Sequence, residues 1–173
     1  MRVVLAMLKV KMAFIGFILA FSVAPALGES DALFTTVSMT PDTALKLALE
    51  TQRDCRKKNY QVSVAVLDRS GVVQVLLRDR YAGAMTPDIA EGKARTALNL
   101  GFDTIDVLDG TKAGTRASGI RHVPGIVIIA GGVRVMAAGS VVGAVGVSGG
   151  PGGDADDGCA RAGIEAITDM LNF

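Results

Sequence analysis

The chain has 173 residues, half of them hydrophobic and a fifth charged, with 18 basic and 17 acidic side chains. That length buries enough surface for one domain to fold without staples, while near-neutral charge and 5% aromatics argue against a basic, base-stacking nucleic-acid surface. One histidine and two cysteines exclude a His-rich metal cage.

The N-terminus reads as an address. Arg2, Lys9 and Lys11 lead into an apolar run from Met12 to Val23, and Ala26 and Gly28 place small residues before a cut after Gly28. Such a run is short for a transmembrane helix and suits the core of a signal peptide. Residues 1–28 are expected to be cleaved, leaving a slightly acidic periplasmic or secreted protein with no stable membrane span. An uncleaved anchor is the alternative. In an exported protein the two cysteines, Cys55 and Cys159, invite a disulfide; two thiols packed as small hydrophobes are the other reading.

Residues 29–39 form a polar lead-in, expected to be flexible, to a domain spanning 40–173. Thr40-Pro41-Asp42 is a helix start: an N-cap, a proline at the first helical position, and an acid at the positive end of the dipole. Ala44, Leu47, Ala48 and Cys55 continue it as an apolar stripe. Gln61–Leu67 alternates and is β-branched, Asp68–Gly71 turns, and Val72–Leu77 returns as the second strand of a hairpin. Thr86-Pro87-Asp88 opens a second helix through Ala90, Ala94 and Ala97 to about Leu100. Asp103–Leu108 reads as a short extra helix and 110–124 as loop.

Three strands are predicted next: Gly125–Ala130, Val133–Ala138 and Val141–Val147. Gly131-Gly132 and Gly139-Ser140 are the expected hairpin turns between them. A last helix runs from about Asp154 to Leu171. The order α-β-β-α-(α)-β-β-β-α, with tight hairpins, gives an α+β fold: an antiparallel five-stranded sheet with flanking helices.

Several stretches recur together in one known family. Val64-Ala-Val-Leu-Asp-Arg-Ser-Gly71, Ala90-Glu-Gly-Lys-Ala-Arg-Thr-Ala97, the double glycine 131–132, Gly143-Ala-Val-Gly-Val-Ser-Gly149 and Cys159-Ala-Arg-Ala-Gly163 resemble, in order, the signatures of the GlcG/HbpS-like family of haem-degrading or haem-binding domains. The resemblance covers most of the chain after residue 28. It implies a profilin-like arrangement, a homo-oligomer and a haem or related tetrapyrrole ligand. It also brings the outer helices antiparallel, so that Cys55 and Cys159 would meet. Many relatives carry proline where this chain has Arg134, and the loop Arg80–Ala84 also departs from the family's pattern.

The glycine run 146–153 does not read as a phosphate loop. Asp154, Asp156 and Asp157 follow it and would repel an anion, and no Gly-Lys-Ser/Thr occurs. These acids suit a helix start instead. A haem site needs an axial donor, an apolar slot and cations for the propionates. His122 could be the donor and Arg121 a cation, with Arg116 or Lys112 beside them; an exposed loop histidine is the plainer reading. Tyr81 and Met85 are alternative ligands, and Met136 reads as core. Asp88 and Glu91, three apart on one helix face, could hold a hard cation or simply favour the helix dipole. Lys93 could face a pocket, although an exposed helix lysine is the plainer reading. Nothing marks a catalytic nucleophile. A periplasmic carrier or accessory enzyme, and a sensory or structural interaction domain, remain the rival functions.

Overall fold

A computed structural model of the chain describes residues 32–171. The expected signal segment 1–28 lies outside them. Helix α1 (Pro41–Lys57) starts where the sequence predicts: the Thr40 hydroxyl accepts the amide of Thr43 at 3.3 Å. Strands β1 (Ser63–Asp68) and β2 (Val73–Arg78) form the expected hairpin, whose Asp68 carboxylate accepts the amides of Ser70 and Val72. Helix α2 (Thr86–Leu100) ends on Gly101, which takes a left-handed φ of 71°. Here Thr86 bonds back to the Gly83 carbonyl and is not a cap on the helix. A 3₁₀ turn, Ser118–His122, interrupts the following loop. Strands β3 (Gly132–Ala137) and β4 (Ser140–Ser148) turn through Ala138 and Gly139, both at positive φ, one residue before the expected Gly139-Ser140, since Ser140 already pairs with Ala137 in the ladder. Helices α3 (Gly153–Glu165) and α4 (Thr168–Leu171) divide the predicted last helix near Ala166.

The sheet is antiparallel, in the order β2-β1-β4-β3, and has four strands rather than five. The missing one is the predicted Gly125–Ala130. Its place beside β3 is taken: the amide of Gly132 donates to the Thr104 hydroxyl, and that of Arg134 to the Asp103 carboxylate. With those edge donors satisfied by the 103–104 turn, the apolar segment 126–130 has no ladder to join. It lies instead against α2, where the Val127 amide donates to Thr96 Oγ1 and its side chain occupies the space beside Gly92. The same displacement means that Gly131-Gly132 is not a hairpin turn. Asp103–Leu108 forms turns and not a helix.

Two cores follow from the alternation of β1. Val64 and Val66 face α1 and α3, together with Val133, Val135, Val145, Val147, Leu47 and Ile167. Ala65 and Leu67 face α2, whose contribution is Ala90, Ala94 and Ala97. The second core is thin because α2 lies almost on the strands. A Cβ at Gly146 would stand 1.9 Å from the Ala90 carbonyl, and one at Gly132 2.3 Å from that of Lys93. Only glycine permits that approach. On the first face, Cys55 of α1 and Cys159 of α3 are joined by a disulfide, with Cα atoms 5.5 Å apart.

Candidate functional site

The segment 101–131 is long for a compact domain and carries little regular structure, the usual setting of a binding loop. Its shape comes from polar struts. Asp103 and Thr104 hold its beginning to β3. Further on, Arg121 donates from Nε to the Thr111 carbonyl at 2.7 Å and from Nη2 to the Leu108 carbonyl at 2.9 Å. Thr111 is itself bonded to the Val107 carbonyl. Arg121 therefore ties the 3₁₀ turn to the 107–111 turns.

Between those two arms lies a cleft of about 420 Å³, with Phe102, Val107, Ala117 and Ile120 as apolar walls and Arg116 at its border. Phe102 is 56% exposed, a large apolar ring left uncovered in this chain. A concave apolar lining with few polar groups is the general form of a small-molecule site.

Among the residues singled out from the sequence, His122 stands exposed at the end of the 3₁₀ turn whose Gly119 and Ile120 line the cleft, and is not itself a lining residue. Arg116 lines the cleft directly. Arg121 spends its Nε and Nη2 on the loop's own carbonyls, and Lys112 pairs with Asp109 at 2.6 Å. Tyr81 and Met85 are exposed on the loop between β2 and α2 and do not line the cleft. In the first turns of α2, Asp88 is exposed and Glu91 is bonded to Arg95. Among the described residues, no three His, Cys, Asp or Glu side chains gather as a metal site would require. Met136 is 44% exposed on the edge strand and is not core.

Lys93 overturns the plainer reading of it. It is 1% exposed and donates from Nζ to the Val147 carbonyl at 2.8 Å and to Asp156 Oδ2 at 2.7 Å. The other oxygen of Asp156 accepts the amide of Gly150 at 2.8 Å. One buried ion pair thus joins α2, β4, the glycine loop and α3. Burial pulls the Lys93 ammonium below the ordinary lysine range, partly offset by Asp156 and Asp157. Asp156 is more than a dipole partner at a helix start: it orders the glycine loop. A signal for this was present, since Lys93 falls in the same helical stripe as Ala90, Ala94 and Ala97.

Residues 39–165 match the family described as "Haem degrading protein HbpS-like". The protein GlcG of Escherichia coli strain K12 is 32% identical over 114 residues, which span 66% of this chain and 84% of GlcG. A crystallised double mutant of Streptomyces reticuli HbpS is 34% identical with a TM-score of 0.74, over 83% of this chain and 97% of that one. A crystallised PduOC:heme complex is 26% identical with a TM-score of 0.72, over 76% and 96% of the two chains.

Proposed function

The chain belongs to the HbpS-like family, and from that premise we propose that it is an exported domain binding haem or a related tetrapyrrole in the cleft of the 101–131 loop. The observation that carries this reading is the cleft itself: an apolar slot with an arginine at its border and, on the same 3₁₀ turn as two of its lining residues, an accessible imidazole. Those are the three elements a haem site needs. Phe102, Val107 and Ile120 would flank the macrocycle, Arg116 would pair with a propionate, and His122 would offer an axial donor. Bound haem would supply an iron centre whose ligation is readable in the Soret band. Arg121 has a supporting part, because its guanidinium holds the two arms of the cleft together. The similar fold of the PduOC:heme complex supports the ligand class. The Cys55–Cys159 bond supports an oxidising compartment.

Hemin titration tests the proposal. The protein should bind one hemin per chain with a saturable Soret shift. His122→Ala should weaken binding about tenfold, equivalent to about 1.4 kcal/mol, and change the Soret maximum. Arg116→Ala should weaken binding and leave the spectrum unchanged. A wild-type protein that leaves the hemin spectrum unaltered would remove the haem reading and bring a small-molecule carrier forward.

A further inference from the structure

A second concavity lies at the β3 edge, and its chemistry differs from that of the loop cleft. It measures about 340 Å³ and is lined by Asp103, Val133, Arg134, Met136, Arg161 and Ile164. Two guanidiniums share one carboxylate there. Arg134 donates from Nε to Asp103 Oδ1 at 3.0 Å, and Arg161 from Nη2 to Asp103 Oδ2 at 3.1 Å. Each is held a second time, Arg134 through Nη1 on the Gly101 carbonyl and Arg161 through Nε on Asp157 at 2.7 Å. Both forks are therefore oriented before any ligand arrives. Among the described residues, neither Arg134 Nη2 nor Arg161 Nη1 has an acceptor.

We propose that this crevice binds a small organic monocarboxylate, with the ligand's carboxylate on the open edges of Arg134 and Arg161 and its hydrocarbon body on Val133, Met136 and Ile164. The charge count selects this class. Asp103 and Asp157 offset the two arginines, so the crevice lacks the excess positive charge that a phosphate dianion needs, and a monocarboxylate carries only half that charge. Directed N–H groups still complement a single carboxylate, and the apolar floor supplies the rest. Met136, the exposed residue of β3 that sequence patterning assigned to the core, forms part of that floor. The arrangement depends on Arg134, whose guanidinium is fixed by Asp103 and the Gly101 carbonyl. The site is independent of the haem reading, and its probe does not absorb in the Soret region.

The experiment is a titration of hexanoate into the purified protein, read on the methyl resonances of Met136 and Ile164. Saturable shifts at roughly millimolar concentration or below are expected, with none from hexanamide or inorganic phosphate at equal concentration. Arg134→Gln and Arg161→Gln should each weaken hexanoate binding about tenfold or more while the remaining methyl spectrum stays native. Arg161 lies on an exposed part of α3, so its variant decides the matter if the other folds poorly. Equal shifts from hexanamide, no shift from hexanoate, or wild-type binding by Arg161→Gln would each overturn the proposal.

Discussion

Where α2 meets the sheet, alanines and glycines bring backbone against backbone and a lysine–aspartate pair is shut away from water. Just beyond the end of the same helix, the 101–131 loop leaves Phe102 more than half exposed and is held by arginine and threonine bonds to its own carbonyls. The first region admits no spare volume, because a single added Cβ at Gly146 would overlap a carbonyl. The second encloses a cleft. The contrast separates what holds the fold from what is free to bind: substitutions in the first should be read in stability, and those in the second in ligand affinity.

The largest expected effect breaks the buried pair. Asp156→Ala leaves the Lys93 ammonium unpaired beneath the glycine loop and the Gly150 amide without its acceptor. Removing one partner of a buried pair costs about 3–5 kcal/mol, to be seen in the midpoint of guanidinium unfolding. Replacing both partners, as Lys93→Met with Asp156→Leu, should recover much of that loss. If the double variant is no more stable than Asp156→Ala, the loop depends on the Gly150 bond more than on charge compensation.

Next comes the disulfide. It closes a loop with a sequence separation of 104, and constraint of the unfolded chain is worth about 4 kcal/mol for loops of that order. Unfolding with and without reductant measures it. A difference near zero would mean that α1 and α3 hold together through packing alone.

The smallest stability effect should come from the loop. Phe102→Ser removes an exposed ring and should shift stability by about 0.5 kcal/mol or less, yet weaken hemin binding severalfold. Loss of stability comparable to that of the buried pair would place Phe102 in a core and erase the distinction between the two regions.

How much of this was legible follows the range of the forces involved. The Thr40-Pro41 helix start and the β1–β2 hairpin are written in neighbouring residues, and the structure carries both; the turn expected at Gly139-Ser140 falls one residue earlier. The β-branched segment 126–129 carries the same local signal as β3, yet it has no strand partner. The side chains that displace it, Asp103 and Thr104, lie more than twenty residues away, and their bonds to β3 exist only once the loop has folded back. Arg121 was read as a propionate partner from its place beside His122. Its actual acceptors, Thr111 and Leu108, give it the role of a strut and leave Arg116 as the cation at the cleft.

Composition, patterning and recurring motifs by themselves determined the α+β class, the antiparallel hairpins and the family, because each depends on local preference or on residues that recur in order. Tertiary structure alone decided the strand count, the burial of Lys93 with Asp156 and the position of the cleft. Those depend on which distant groups satisfy one another once water is excluded. A lysine's burial is settled by whether a carboxylate and a carbonyl are waiting at the other end of its side chain, and here they come from residues more than fifty positions away.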